Sequence, residues 1–437
     1  MFSFNCFLKR DNEVYLTSNK EIRKRKGGNM SILTRNRGAM LLLMLNIFLA
    51  FMGIGLVVPV LPKFISELGM NGSSMGLMVA AFALTQLLLS PLSGKLSDRY
   101  GRKKLIVSGM FIFMLSELVF GLAHSIPTLF IARIMGGAGA ALLTPSIMAY
   151  VADVTSFEER GKGMGMINAA INTGFIIGPG IGGLLATYGI RIPFFAAAGA
   201  AGIAAILSLL VLPESLSKEK QQYNRELPRQ KENLLQQFAK SYQSPYFMGL
   251  LIVFVVAFGL ANFETVFGLF VDHKYGFTPM DIAIIITTGS ILGAVVQATI
   301  FGWIINRFGE KKVIHLCLAI GGLFIFLTLF AEQYMMIMLT TFIIFLAMDI
   351  LRPAVSTSLS RQAGDEQGFV AGMNSSYTSL GNVIGPLIAG LLFDVHINLP
   401  YMVAAIALLA CLVLSLRSKQ AGEQHSIARA AEQHRGG

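Results

Sequence analysis

The sequence predicts an all-α membrane protein whose twelve transmembrane helices form two pseudo-symmetric bundles of six. Its 437 residues are 54% hydrophobic and only 14% charged, with a mean hydropathy of +0.64. That is more apolar surface than a water-soluble core can bury. The apolar residues lie in twelve runs of about 20 residues, the length that crosses a bilayer core. Motifs of the first half also return in the second half.

The twelve apolar runs divide evenly between two halves of the chain. We place segments 1 to 6 near residues 39–61, 73–92, 105–122, 126–149, 163–187 and 192–212, and segments 7 to 12 near residues 245–271, 279–305, 313–330, 333–354, 369–393 and 399–416. Gly and Pro within these runs are compatible with membrane helices. The chain therefore divides into bundles at 38–212 and 245–416, joined by a solvated and partly helical linker at 213–244.

Polar tails flank the two bundles. Residues 1–37 carry nine Lys and Arg and lack the apolar core of a signal peptide, and residues 417–437 form the second tail. Met30 stands only a few residues before the first apolar run. We therefore hypothesise that residues 1–29 are an upstream extension of the start site.

The distribution of basic residues predicts the orientation in the membrane. If the N-terminus is cytoplasmic, the outer loops hold only Lys63, Arg191 and Lys274 of the 35 Lys and Arg residues. The positive-inside rule then predicts a cell membrane protein whose two termini and linker lie in the cytoplasm. The net charge of +11 does not indicate a nucleic-acid partner, because the basic residues punctuate apolar runs instead of clustering on one soluble face.

Two motifs are duplicated at nearly the same offset. A basic stretch at residues 94–104 returns in degraded form at 302–312, and a Gly-Pro stretch at 178–185 returns at 385–392. Two independent echoes indicate a duplicated six-helix unit. Parallel repeats of this kind face each other across a central cavity, which is the geometry of a transporter.

The first basic stretch resembles the Gly-x-x-x-Asp-Arg-x-Gly-Arg-Lys signature of the major facilitator superfamily, between segments 2 and 3. The matching residues are Gly94, Asp98, Arg99, Gly101 and Arg102. Its glycines allow a tight turn, its Asp can pair with arginines, and its basic residues meet anionic headgroups. We expect a charged gating loop that latches the two bundles on the cytoplasmic side; a purely topological anchor is the alternative.

The second copy of this motif departs from the first. Asn306 and Glu310 replace charged positions there, which weakens the case for a matching latch in the second half.

Segment 5 resembles the signature of the drug:proton antiporter branch of the same superfamily. The residues concerned are Gly174, Gly178, Pro179 and Gly182, preceded in segment 1 by a Gly- and Pro-rich stretch at 53–62. Small residues allow helices to approach closely, and a proline frees a carbonyl and bends the helix. For any single glycine, ordinary helix packing is the competing interpretation.

Charged residues inside apolar segments indicate function, because placing them there is costly. They are Glu117, Arg133, Glu264 and Asp349, with Arg352 one turn after Asp349. A carboxylate kept from water can exchange a proton near neutral pH, as a proton-coupled carrier requires, which makes Glu264 and Asp349 the candidates. Asp349 and Arg352 could instead form a local ion pair. For Glu117 a polar contact between helices is the preferred interpretation.

The stretches around Glu264, Asp349 and residues 363–375 resemble the NorA/Bmr type of multidrug efflux pump. The resemblance implies that Glu264 and Asp349 are proton sites, with Arg133 and Arg352 contributing to proton coupling. The cavity residues that match by local pattern are Phe51, Ile54, Phe82, Gln86, Asn172, Phe175, Phe345 and Asn382. Each of them, taken alone, could equally be a packing residue.

The implied function is proton-coupled export of drugs. Aromatic faces and carboxylates accept amphiphilic or cationic drugs of varied shape without a fixed hydrogen-bond pattern. We expect a monomer in a lipid bilayer, with the proton as coupling ion and no other cofactor. A narrow-substrate exporter or proton symporter of the same fold, and a non-transporting receptor or scaffold, remain as alternatives.

Enzymatic signals are weak. The sequence contains neither a P-loop for nucleotide phosphates nor a His-Glu-x-x-His zinc motif. Residues 72–76 fit Gly-x-Ser-x-Gly, but no strand precedes them, as a hydrolase nucleophile requires. The three cysteines, Cys6, Cys317 and Cys411, have neither disulfide nor metal-ligand spacing.

Overall fold

The structure is a computed structural model that describes residues 37–226, 234–363 and 366–435. Within these ranges the secondary structure is helical. The tail at 1–36, with its hypothesised start-site extension, lies outside the described residues, as do residues 227–233 of the linker and 364–365.

Twelve described helices are long and apolar enough to cross a membrane, which confirms the predicted fold class. The first bundle contains α1 Arg37–Glu67, α2 Gly72–Tyr100, α3 Arg102–Leu122, α4 Ile126–Val154, α5 Phe157–Ala186 and α6 Ile192–Val211. The second bundle contains α7 Phe247–Tyr275, α8 Pro279–Thr299, α9 Glu310–Leu327, α10 Tyr334–Gln362, α11 Gln367–Val395 and α12 Leu399–Arg435. A short helix, Phe301–Phe308, continues α8, and a 3₁₀ turn, Thr328–Phe330, follows α9.

The helices extend further than the apolar runs. The basic stretch expected as a loop after segment 2 is helical up to Tyr100, because its polar residues continue α2 beyond the apolar run. The turn is reduced to Gly101, with φ 103° and ψ 151°, a backbone conformation available mainly to glycine. Gly309 makes the same turn in the second half, with φ 76° and ψ 151°. The two copies of the motif therefore share one backbone geometry.

Side-chain caps define where several helices begin. Asn71 accepts a hydrogen bond from the Ser74 N–H at the start of α2. Thr278 and Asp281 form a capping box at the start of α8. Such caps satisfy N–H groups that have no partner within the helix, and they fix where the chain re-enters the membrane.

Most helix contacts lie within each bundle, and two pairs of helices join the bundles. In the first, α1 packs extensively on α5, and α3 packs on α4 and α6; in the second, α7 packs on α11, and α9 on α10 and α12. The bundles meet mainly where α2 faces α11 and α5 faces α8. The equivalence of the α1–α5 and α7–α11 pairs is the structural form of the sequence repeat.

The linker contains two short helices, Lys218–Glu226 and Leu234–Tyr242. Because twelve helices span the membrane, the start of α1, the end of the spanning part of α12 (Leu399–Arg417) and the linker lie on the same side, which we call the linker face. The other side is called the opposite face.

Candidate proton and substrate site

The two bundles touch near the opposite face. There Gly76 of α2 lies against Gly390 of α11, Gly183 of α5 against Ala283 of α8, and Gly268 of α7 against Pro62 of α1. All these residues lie in the half of their helix that is nearer the opposite face. The space between the bundles therefore opens toward the linker face.

The glycines of α5 seat this helix on α1. A Cβ on Gly174 would lie 2.7 Å from the Phe48 carbonyl oxygen, and one on Gly178 would lie 2.6 Å from the Met52 carbonyl oxygen. Gly182 meets the backbone of α1 in the same way at Leu56. These residues recur every four positions, so they form one face on which two backbones approach closely.

Two further glycines of α5, Gly180 and Gly183, point away from α1 and toward the other bundle. Pro179 lies beside Gly55 of α1, while Gly180 faces Thr287 and Gly183 faces Ala283 of α8. The segment that resembles the antiporter signature thus packs on its own bundle and also on the other bundle.

An acidic group lies deep in the central space. Glu264 is near the middle of α7, and its side chain is exposed to the cavity although protein surrounds it. Asp349 of α10 is partly buried against Gly293 of α8, and Arg352, one turn later, is exposed. The Asp349 and Arg352 charges act on Glu264, so the structure brings these three predicted residues together.

Asp349 and Arg352 do not form the local ion pair that the sequence left open as an alternative. The salt bridges among the described residues do not include Asp349 with Arg352. One turn of helix separates the two side chains, but their charged groups do not meet. Asp349 is therefore not held by a direct partner on its own helix.

Arg133 lies elsewhere. Its guanidinium carbon is 4.8 Å from the centroid of the Phe120 ring, and it is only 8% exposed, as Glu117 is only 5% exposed. Glu117 of α3 and Arg133 of α4 lie close enough for their charges to interact, but they form no salt bridge among the described residues. The structure does not bring Arg133 to Glu264 and Asp349. The polar contact between helices that is preferred for Glu117 stays a prediction, because the Glu117 Oε2 atom has no hydrogen-bond partner within the described part of the chain.

The predicted cavity residues separate into exposed and buried groups. Phe175 is 43% exposed and its ring meets that of Phe51 edge to face, with centroids 5.0 Å apart. Asn172, one turn earlier on α5, is also exposed, and Ile54 is partly buried. An aromatic surface on α1 and α5 therefore faces open space.

The other predicted cavity residues are less accessible. Phe82 is partly buried against Gly136 of α4, and Gln86 and Asn382 are partly buried. Phe345 is 5% exposed and packs on Phe263 within the second bundle, with centroids 6.3 Å apart. In this conformation Phe345 is a core residue, because its ring fills the contact of α10 with Phe263 of α7 and with Gly289 of α8.

Asn262 is a polar residue that was not singled out from the sequence. It is fully buried in α7, and both polar atoms of its side chain lack a hydrogen-bond partner within the described part of the chain. Such groups are costly to bury. A polar residue two positions before Glu264 in an apolar run was the available signal.

The charged motif after α2 ties elements of the first bundle together. Arg102 forms salt bridges with Asp98 at 2.6 Å and with Asp153 of α4 at 3.1 Å. Glu214, at the start of the linker, accepts hydrogen bonds from the backbone N–H groups of Arg102 at 2.8 Å and Lys103 at 3.2 Å. These contacts of Asp98 and Arg102 remain on the first bundle and linker instead of latching the two bundles, because the bundles are apart at this face.

Metal binding has no support in the described residues, which contain no group of three or more His, Cys, Asp or Glu suited to a metal ion. Cys317 and Cys411 are buried free thiols.

Comparison with known proteins decides the family. The family model described as Major Facilitator Superfamily matches residues 43–296 and 249–435. The chain belongs to the major facilitator superfamily. This family consists of membrane transporters rather than enzymes, and the resemblance stated from the sequence is confirmed.

Curated relatives of this superfamily member are matched over nearly their whole length. Multidrug resistance protein 2 of Bacillus subtilis (strain 168) is 48% identical over 380 residues, covering 87% of this chain and 95% of the relative. The quinolone resistance protein NorA of Staphylococcus aureus (strain COL) is 41% identical over 375 residues, covering 86% and 95%.

Solved structures support the same fold. A bacterial homolog of the human lysosomal transporter Spinster, in an inward-facing and occupied conformation, has a TM-score of 0.74 at 15% identity and covers 88% of this chain and 97% of its own. The nucleoside transporter NupG has a TM-score of 0.69 at 15% identity, covering 87% and 98%.

Proposed function

We propose that the protein exports hydrophobic and cationic drugs and dyes in exchange for protons, by alternating access. The observation that carries this proposal is Glu264, an exposed carboxylate in the middle of an apolar membrane helix, within reach of the charges of Arg352 and Asp349. The relatives named for multidrug and quinolone resistance add support.

The proposed orientation follows from charge. The linker face carries nearly all of the 35 Lys and Arg residues, so it is assigned to the cytoplasm together with both termini. The opposite face is then the outer side of a cell membrane. In this orientation the described conformation is inward-open, ready to take a substrate from the cytoplasm or inner leaflet.

The proposed binding chemistry combines a charge with aromatic faces. A flat organic cation is attracted by the Glu264 carboxylate and stacks on Phe175, which Phe51 supports from behind. Cation–π and stacking contacts tolerate varied shapes, and a site without a fixed hydrogen-bond pattern has broad selectivity. The substrate class is therefore small amphiphilic or cationic compounds, bound by a monomer.

Coupling arises because a drug cation and a proton neutralise the same carboxylates. In the proposed cycle the drug binds while Glu264 and Asp349 are ionised, and the bundles then rock outward. Protonation from outside removes the negative charge and weakens the hold on the drug. The protonated carrier returns and releases its proton inside. Arg352 keeps positive charge beside both acids, while Arg133 contributes from within the first bundle.

Ethidium efflux from cells, measured across pH, tests the proposal. Glu264→Gln and Asp349→Asn remove the exchangeable protons and should abolish or strongly reduce pH-dependent efflux. Asp272→Asn is the matched control, since Asp272 lies on the same helix near its outer end and should leave efflux unchanged. Proton-dependent efflux retained in both site variants would contradict the coupling assignment.

A narrow-substrate exporter or a proton symporter is distinguished with inverted vesicles. Under an imposed pH gradient, the proposed antiporter accumulates ethidium, and accumulation collapses when nigericin removes the gradient. A symporter would accumulate its substrate only with the gradient reversed. A narrow-substrate exporter would not concentrate chemically unrelated cationic dyes.

A further inference from the structure

A carboxylate of one bundle caps a helix of the other bundle at the opposite face. Asp394, near the end of α11, accepts a hydrogen bond from the Gly72 N–H at 2.7 Å through Oδ1 and from the Ser73 N–H at 3.0 Å through Oδ2. Gly72 and Ser73 are the first two residues of α2. Their N–H groups have no acceptor within their own helix, and a helix N-terminus attracts negative charge.

The first turn of α2 shares its donors between two acceptors. Asn71, the N-cap, takes the Ser74 N–H at 3.1 Å, and Asp394 takes the two N–H groups that Asn71 leaves. The fit depends on the absence of a side chain at Gly72, where a Cβ would lie 2.9 Å from the Asp394 Oδ1 and 2.8 Å from the Phe393 ring. One turn further along, the backbones touch again.

That second contact joins Gly76 of α2 to Gly390 of α11, where a Cβ on either glycine would lie 3.0 Å from the Cα of the other. Gly72 and Gly76 are four residues apart, as are Gly390 and Asp394. The two helices therefore meet along one matched turn, with backbone contact at one end and the charged cap at the other. The cap can form only while this turn is closed.

We infer that Asp394 is the outer latch of the transporter, a positioning residue that stabilises the state closed to the outside through the Gly72 and Ser73 N–H groups. This inference rests on the proposed orientation and on alternating access. When the outer halves separate, α2 loses both capping bonds, so the outward-open state lacks the stabilisation that the inward-open state has. Because the partner is backbone, neutralising Asp394 leaves no unpaired cation behind.

The expected size follows from capping energetics. Loss of a carboxylate at a partly buried helix N-terminus changes an equilibrium by about fivefold to thirtyfold. Asp394→Asn should shift the population toward the outward-open state by this factor. Ser73→Pro removes one of the two donors while leaving the Asp394 charge in place, and proline is tolerated in the first helical turn, so it should shift the population in the same direction by a smaller factor.

The experiment measures access from the outside. Thr287→Cys provides the reporter, because Thr287 lies against Gly180 across the junction between the bundles and its hydroxyl is buried. The rate of labelling of this cysteine by a membrane-impermeant maleimide, added outside intact cells, reports how often the outer half opens. The protein without the reporter gives the background from its own cysteines.

The matched control is Asp281→Asn. Asp281 is also a capping carboxylate near the opposite face, but it accepts from Thr278 of its own helix. We expect Asp394→Asn to raise the labelling rate about fivefold to thirtyfold, Ser73→Pro to raise it less, and Asp281→Asn to leave it within about twofold. The double variant of Asp394→Asn and Ser73→Pro should add little to Asp394→Asn alone, since both changes break the same cap.

Wild-type labelling rates in Asp394→Asn and Ser73→Pro would overturn the latch, as would an equal increase in Asp281→Asn. If Asp394→Asn does not fold, the labelling rate of Ser73→Pro, corrected for the labelling of the same variant without the reporter cysteine, decides the question. The readout requires neither drug nor proton gradient. A failed latch therefore leaves ethidium efflux intact, whereas a failed efflux proposal leaves the labelling result standing.

Discussion

The contact of α5 with α1 predicts a sharp difference between two Gly→Ala substitutions on one helix. In Gly178→Ala the new Cβ would lie 2.6 Å from the Met52 carbonyl oxygen and 3.0 Å from the Gly55 Cα. Ordinary contact begins at 3.4 Å, so about 0.8 Å must open between two backbones that cannot rotate away. Gly165→Ala, on the same helix, meets nothing within 4 Å.

The magnitude follows from the cost of overpacking. Forcing a methyl group into a filled contact costs about 1–3 kcal/mol, which at roughly 2 °C per kcal/mol lowers the Tm by about 2–6 °C. Gly165→Ala instead gains helix propensity of up to about 1 kcal/mol, so its Tm stays level or rises slightly.

The Tm of both variants is measured in detergent with a thiol-reactive fluorophore, because Cys317 and Cys411 are buried in the folded state and react with it on unfolding. Equal Tm values for Gly178→Ala and Gly165→Ala would refute the close approach of α1 and α5.

Three further predictions follow from the site and from the linker face. Phe175→Ala should weaken ethidium binding by about 0.5–1 kcal/mol with little change in Tm, whereas Phe345→Ala should destabilise the fold by about 3–5 kcal/mol. Fluorescence titration and thermal unfolding of both variants check this. The reverse pattern would contradict the exposure of Phe175 and the burial of Phe345. Arg102→Lys should lower the Tm measurably, because a lysine cannot hold two aspartates in the fork of a guanidinium, and an unchanged Tm would show that the motif is only a membrane anchor. Lys240, on the linker helix Leu234–Tyr242, forms a salt bridge with Glu366 at 2.9 Å, and the Tyr246 hydroxyl donates a hydrogen bond to the same carboxylate. Both contacts lower the pKa of Glu366, so the stabilisation that they give this linker helix is complete at neutral pH and is lost as the pH falls through that lowered pKa. Proteolysis of the linker should accelerate over this range in the wild type, while Lys240→Met should be cleaved faster already at neutral pH.

The helix count and the repeat could be predicted from the sequence because they depend on local composition. Runs of about 20 apolar residues identify membrane helices without any tertiary information, and a polar residue such as Glu264 stands out against them. The duplicated motif at residues 94–104 was visible for the same reason. Its conformation was not, because polar residues continue a helix at a membrane surface as readily as they form a loop, and only Gly101 leaves the helix.

The site could be predicted only in part. The sequence alone does not distinguish an aromatic residue that lines a cavity, as Phe175 does, from one that fills a core, as Phe345 does. Likewise Arg133 is conspicuous in the sequence, but its burial beside Glu117 depends on how α3 and α4 are rotated. Asp394 gave no signal at all, since its partners are backbone groups of the other bundle, 322 and 321 residues away.

The central claim is that drug and proton compete for the same carboxylate, and proton release on drug binding tests it most directly. Purified protein in weakly buffered detergent solution, titrated with ethidium in the presence of a pH indicator, should release protons as the dye binds. Glu264→Gln should bind the dye more weakly and lose most of that release, while Asp272→Asn should match the wild type. Undiminished proton release from Glu264→Gln would contradict the account.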